Sequence, residues 1–346
     1  MGSEKQQIAG LAVVVAIALL GCACDASPLF HYPMVPRQSP APGYSPLSED
    51  YYKGKCYDHD VELIVKDVVY KALSEPYGRG IGAGLIRLFF HDCFVQGCDA
   101  SVLLDPTPTN PEPEKHGIPN RNSLRGFEVI DAIKKAVNEK CGNIVSCADI
   151  LAFAARDATV FLSKERVGYF KMPAGRYDGK VSLASETIPN LPPPFANLET
   201  LKAMFKTKGL ETDEMVTLSG AHSIGISRCS SFSDRINASS PSDMEPGLAN
   251  ELRAKCNNQP SVTVDQDSVT PVDLDRQYYK NVLNKKVLFQ SDAVLSSGET
   301  VGQVWLNANW PGLWESRFKA AMVKMGKIEV KTKDNGEIRK QCRSIN

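Results

Sequence analysis

Residues 84–101 read GLIRLFFHDCFVQGCDAS, and this stretch decides the fold class. Apolar side chains recur in it every three to four residues, the period of an α-helix with one face turned to a core. Arg87 and His91 stand four apart and therefore share a face. That face is otherwise built of Leu85, Leu88 and Phe89, where a cation and an imidazole are costly to desolvate unless they line a cavity or meet partners. Spacing alone leaves two readings open: a reactive pocket, or a buried structural histidine beside a surface arginine. In a pocket the pair makes a proton relay. His91 can take a proton from one reacting atom and return it to the departing one, and Arg87 can stabilise the charge that builds on the leaving atom. Just beyond, Asp92, Asp99 and Ser101 supply three oxygen side chains and Gly97 permits a sharp turn, a pattern that suits a hard cation.

The helical period continues on both sides of this stretch. It predicts helices over 58–74, 80–92, 126–141, 146–162, 197–208, 212–219, 249–256, 275–285, 291–294 and 302–325. Ser146 ahead of Asp149, and Thr212 ahead of Asp213 and Glu214, suit helix starts. Alternating β-branched runs are few, so the expected class is mainly α with Pro/Gly loops such as 188–195.

A chain of 346 residues with 42% apolar side chains can bury a large core, which predicts one large domain or two lobes sharing a ligand. Lys plus Arg equals Asp plus Glu at 40 each and no polybasic run occurs, so the footprint that nucleic acid or anionic lipid requires is missing. A small, weakly charged partner is expected. At the N-terminus, Lys5 precedes an apolar run from Ile8 to Leu20 and then Gly21, Cys22, Ala23, Cys24 and Ala26, the layout of a secretory signal peptide over 1–26 cleaved near 23–26. The run is shorter than the roughly 20 residues that span a bilayer. Residues 27–46 are Pro-rich and read as a solvated extension. The folded domain is expected over 47–346.

Loss of Cys22 and Cys24 with the signal leaves cysteines at 56, 93, 98, 141, 147, 229, 256 and 342, an even set that reads as four disulfides in an oxidising compartment. Eight cysteines permit 105 pairings, and the sequence does not choose among them. His222 lies in VTLSGAHSIG (216–225) beside Gly220 and Ala221, small enough to let a flat ligand approach, although a lone histidine is more often a satisfied core residue. Asp292 reads as a cap of a short helix. Asp267, Thr270, Asp273 and Asp275 form either an acidic loop or a second cation site. His31, His59 and His116 read as surface residues.

The stretch 87–101 closely resembles the distal-haem signature of the secretory plant peroxidases, class III. Further matches follow in order: EKHGIPNRNSLRGFEVID from Glu114, CGNIVSCADILAFAARD from Cys141, AGRYDG from Ala174 and LSGAHSIG from Leu218. The resemblance implies a haem-peroxidase fold, two helical lobes with haem b between them, acting as a monomer on hydrogen peroxide and small phenolic donors. It implies a distal pocket of Arg87, Phe90 and His91, with Asn120 holding the second nitrogen of His91 and Glu114 supporting Asn120. It implies His222 as axial iron ligand with Asp292 as its partner, which favours O–O cleavage. It also implies two calcium ions, one held by Asp92, Val95, Gly97, Asp99 and Ser101, the other by Ser223, Asp267, Thr270, Asp273 and Asp275. The implied disulfides are Cys56–Cys141, Cys93–Cys98, Cys147–Cys342 and Cys229–Cys256, and Pro192 is the implied donor contact.

Some positions depart from the family pattern. Tyr57 stands where relatives usually have Pro, Ser223 where Thr is frequent, and Ile118 and Ser231 where some relatives carry aromatic rings. The chain stops four residues after Cys342, which the resemblance associates with the cell wall or apoplast. Asn237-Ala238-Ser239 is an acceptable N-glycosylation sequon. A non-catalytic wall-binding member would have lost Arg87, His91, His222 or Asp292, and all four are present.

Overall fold

The computed structural model describes residues 47–239 and 242–346. The expected signal peptide, the Pro-rich extension and His31 lie outside the described residues.

Four long helices form the first half: α1 (Val61–Ser74), α2 (Gly78–Val95), α3 (Phe127–Cys141) and α4 (Cys147–Leu162). Local chemistry sets their starts. Asp60 accepts from the Glu62 and Leu63 amides at 2.8 and 3.3 Å, and Ser146 from the Asp149 amide at 3.1 Å, which satisfies orphan donors of the first turns. Helix α4 is buried nearly all round, and its Ala152, Ala154, Ala155 and Ala158 allow α1 and α2 to pack closely on it. Helix α2 is longer at both ends than the sequence period predicts. Its early start rests on Gly78, where a Cβ would sit 2.3 Å from the Ala72 carbonyl oxygen. Its late end follows from Phe94 and Val95, apolar and buried. It stops before Gly97, whose φ of +90° and close approach to Glu329 admit no side chain.

The second half contains α5 (Thr187–Asn190), α6 (Leu198–Thr207), α7 (Thr212–Ser219), α8 (Ser233–Ile236), α9 (Pro246–Cys256), α10 (Gln277–Leu283), α11 (Gln290–Ala293), α12 (Val301–Asn309) and α13 (Leu313–Met325). Helix α7 spans the expected 212–219, but its cap is Glu211 rather than Thr212, and the Glu214 carboxylate accepts from the Glu211 amide at 2.6 Å. The single helix expected over 302–325 is two. Proline disfavours the helical conformation of the residue before it, so Trp310 is extended, and Gly312 turns the chain with φ of +81°. A two-stranded antiparallel sheet, β1 (Ile226–Arg228) with β2 (Thr263–Asp265), pairs Ser227 with Val264.

Helices α1 to α4 pack on one another, as do α7, α10, α12 and α13, which makes two helical lobes. Phe94 of α2 meets Phe205 of α6 edge-on, ring centroids 5.0 Å apart, and joins them. A satellite core of Phe232, Leu248, Leu252, Val264 and Leu288 lies around the β1–β2 pair. Four disulfides join Cys56 to Cys141, Cys93 to Cys98, Cys147 to Cys342 and Cys229 to Cys256, the pairs that the resemblance implied. Their loops differ widely, from 5 to 195 residues of separation, and the longest ties the C-terminal segment to the start of α4.

Candidate active site

Helix α2 carries Arg87, Phe90, His91 and Asp92, and its period puts the first three on one side of the helix. His91 Nδ1 lies 2.5 Å from Asn120 Oδ1. The Asn120 amide is oriented by its own Nδ2, which donates to the Glu114 carbonyl at 2.8 Å. An amide oxygen can only accept, so Nδ1 of His91 carries the proton and Nε2 keeps its lone pair. Burial pulls the His91 imidazole well below its usual value and the Arg87 charge adds to this, while the Asn120 bond opposes them. Glu114 thus supports Asn120 through its main chain, not its carboxyl group. Arg87 donates to the Pro119 carbonyl at 2.8 Å and to Ser123 Oγ at 3.1 Å. Burial, with Arg125 nearby, lowers its guanidinium to about 10, and it stays charged at neutral pH. Ser123 was not singled out in the sequence, although its place three residues after Asn120 on one tight loop was the available signal.

His222 lies on the turn after α7. Its Nδ1 is 2.8 Å from Asp292 Oδ1, on α11, which leaves Nε2 free. Burial lowers the imidazole, but the Asp292 charge and hydrogen bond outweigh it and hold the group raised. The His222 side chain is 40% exposed, yet burial is still the largest influence on it. Both hold for a ring set inside the molecule with open space on one side. The Arg87 charge also lowers His222, so the two groups lie near one another inside the molecule. Arg87 and Phe90 are half-buried although their helix lies deep in the molecule. Partly open internal side chains near one another, with one free imidazole nitrogen, fit a flat iron macrocycle. Gly220 does not serve that approach, contrary to what its place beside His222 suggests. A Cβ there would lie 2.6 Å from Trp314 Nε1 and 2.7 Å from the Tyr279 hydroxyl, so core packing requires the glycine.

The first cation cluster sits directly behind His91. Asp92 Oδ2 accepts from the Ala100 amide at 2.9 Å and Asp99 Oδ1 from the Ser101 amide at 3.0 Å. Asp92 Oδ1, Ser101 Oγ and both carboxylate oxygens of Glu114 are buried without a hydrogen-bond partner. Burial and then the neighbouring Asp99 charge push Asp92 well up, and burial with Asp92 does the same to Glu114. Unpaired buried oxygens of this kind are costly unless a cation receives them, and they fit calcium together with the carbonyls of Val95 and Gly97 at the end of α2. In the second cluster, Thr270 Oγ1 reaches Asp267 Oδ2 at 3.3 Å and Asp275 Oδ1 at 3.2 Å, and Ser223 Oγ accepts from the Asp275 amide at 3.1 Å. Asp273 differs: its carboxylate pairs with Arg79 at 2.9 Å and Lys164 at 2.6 Å, so only its carbonyl, on which Ser223 Oγ donates, faces the cluster. Among the described residues no three His, Cys, Asp or Glu side chains form a ready metal cage. A cation in either cluster would draw on hydroxyl and carbonyl oxygens as well as carboxylates.

Pro192 is half-buried in a loop whose Pro194 carbonyl accepts from Ser291, next to Asp292. The loop bearing Ile118 packs on α5, since a Cβ on Gly117 would lie 2.3 Å from Thr187 Oγ1. Ile118, Ile188 and Phe195 are exposed apolar side chains on these segments. His59 is exposed, while His116 is half-buried and 3.6 Å from Glu112.

A buried neutral imidazole beside an arginine, opposite a histidine backed by a carboxylate in a two-lobed helical fold, defines a haem peroxidase. Residues 65–308 match the family model described as "Peroxidase". "Peroxidase 2" of Zea mays is 51% identical over 342 residues, covering 96% of each chain. "Peroxidase 5" of Vitis vinifera is 45% identical, covering 87% of this chain and 92% of the relative, and "Peroxidase 39" of Arabidopsis thaliana is 39% identical over 88% and 95%. The chain belongs to the class III plant peroxidases. It is an oxidoreductase acting on hydrogen peroxide, of a family that binds haem and calcium.

Proposed function

We propose that this peroxidase oxidises small phenols, hydroxycinnamates and monolignols among them, by successive one-electron steps. Each hydrogen peroxide becomes two waters, while two phenols each lose one electron and one proton. The observation that carries this reading is the Asn120–His91–Arg87 arrangement facing His222–Asp292. The haem iron, when bound, supplies the redox centre for the oxidising equivalents of peroxide. His91 Nε2 takes the proton from one peroxide oxygen and delivers it to the other, and Arg87 stabilises the leaving oxygen. His222 holds the single haem b, and Asp292 makes it a stronger donor to iron. Pro192, with the apolar surface of Ile118, Ile188 and Phe195, supports a rigid donor entrance. Steady-state turnover with ferulate, coniferyl alcohol and simple phenols tests the donor class; turnover confined to non-phenolic donors would overturn it.

The exposed Asn237 sequon, four disulfides and the signal-like N-terminus support secretion to the cell wall, with cleavage near 23–26 and a working domain over 47–346. No helix among the described residues is long and apolar enough to cross a membrane.

Asp292→Asn should raise the ferric/ferrous midpoint potential without loss of haem, because a neutral amide cannot stabilise an imidazolate-like ligand. Potentiometric titration followed by absorbance checks this. Two calcium ions complete the reading. Chelation of calcium should lower phenol oxidation before the Soret band is lost, because Asp92 and Asp99 then repel one another beside His91. Parallel records of activity and Soret absorbance, with calcium added back, measure the order of the two losses.

A further inference from the structure

Asp292 serves two donors through one oxygen. His222 Nδ1 lies 2.8 Å from Asp292 Oδ1, and the Tyr278 hydroxyl lies 2.7 Å from that same atom. Tyr278 is on α10, is 2% exposed, and meets the His222 ring edge-on with centroids 6.3 Å apart. We propose that Tyr278 is a positioning residue that limits how much negative charge Asp292 shares with His222, and so tunes the axial ligand. This rests on the reading of His222 as the iron ligand.

A carboxylate oxygen that accepts two charge-assisted hydrogen bonds divides its basicity between them. The phenol withdraws part of the charge that would otherwise draw the Nδ1 proton from His222, so the imidazole has less imidazolate character than Asp292 alone would give it. A phenol suits the task because it is a persistent donor: burial, and then the Asp292 charge, push its proton loss well above the usual range. Rigidity comes from the adjoining residue. The Tyr279 hydroxyl donates to the Val216 and Thr217 carbonyls at 2.9 and 3.0 Å, and both belong to α7, the helix that leads into His222. Helix α10 therefore holds the ligand's helix with one phenol and the ligand's partner with the next.

The test uses haem-loaded Tyr278→Phe, with Asp292→Asn and Tyr279→Phe alongside, and reads the ferric/ferrous midpoint potential and the iron–imidazole stretch of the ferrous protein by resonance Raman. Tyr278→Phe should favour the ferric form about tenfold, a fall of about 59 mV for a one-electron couple, and raise the stretch frequency. Asp292→Asn should move both in the opposite sense, and Tyr279→Phe, which leaves the charge on Asp292 untouched, should move them less than Tyr278→Phe does. Unmoved signals in Tyr278→Phe, or movement in the same sense as Asp292→Asn, would overturn the proposal, the second because Tyr278 would then only anchor Asp292. If Asp292→Asn also moved nothing, the assignment of His222 as ligand would fall, and this inference with it. Should the Phe variant not bind haem, 3-fluorotyrosine at 278, a stronger donor of nearly the same shape, should raise the potential; no change would overturn the proposal equally.

Discussion

His91→Ala should slow the reaction with hydrogen peroxide by about 10²–10⁴-fold, the range for loss of a positioned acid–base group, while the haem stays bound. Haem retention follows from geometry, because His222 and Asp292 sit on the other lobe and do not depend on His91. The effect is large because Asn120 fixes the ring and its tautomer, so no water would arrive with a lone pair similarly directed. Stopped-flow mixing with peroxide measures the rate constant, and an unchanged value would remove His91 from the chemistry. The pH profile carries a second expectation. Burial and the Arg87 charge hold His91 well below its usual value, so the base is already unprotonated at mildly acid pH. The rate constant should be flat from neutrality down past pH 6.5, and fall only as pH drops through the lowered value. Asn120→Leu, which removes the one bond that favours the charged ring, should not shift that fall to higher pH.

Arg176→Ala should cost about 3–5 kcal/mol of folding stability, the cost of leaving one member of a buried ion pair alone. Arg176 Nη1 is 2.7 Å from Asp149 Oδ1, and both side chains are 0% exposed. Asp149 also accepts from the Tyr52 hydroxyl at 2.7 Å and the Gly175 amide at 2.8 Å, and Arg176 donates to the Gly326 carbonyl at 2.6 Å. The pair thus ties α4 to the chain after α13, and its loss frees both ends. Denaturant unfolding with the disulfides intact gives the change. The double variant Arg176→Met with Asp149→Leu should recover only part of it, because an apolar pair leaves no charge unpaired but strands the Tyr52 hydroxyl and the Gly175 amide. A double variant as unstable as the single one would show that packing, not charge, dominates there.

That pair also shows where sequence reading stopped. AGRYDG was legible as a family match, but nothing in its spacing says that Arg176 and Asp178 are buried, or that Asp178 binds the amides of Ala148 and Arg339 at 2.9 Å each. Tyr278 went unnoticed for a similar reason: a tyrosine on an amphipathic helix looks like core until its hydroxyl is seen to point at a carboxylate. The family resemblance implies Asp273 in the second cation cluster, whereas Arg79 and Lys164, far away in sequence, draw its carboxylate aside.

By itself the sequence determined what depends on near neighbours along the chain. The apolar period sets helices α1 to α4, side-chain caps set the starts of α1 and α4, Pro311 and Gly312 divide α12 from α13, and the four-residue step puts Arg87 and His91 on one face. These follow from backbone sterics and hydrogen bonds within a few residues, so they are written locally. Only the tertiary structure decided which distant groups share one cleft: His91 with Asn120, His222 with Asp292 and Tyr278, and the Glu114 carboxyl with Asp92 rather than with Asn120. The physical reason is that burial makes each of these contacts matter. A charge or a lone pair means little in water, and becomes a tuned acid, base or ligand only where packing of residues far apart in sequence has removed the solvent.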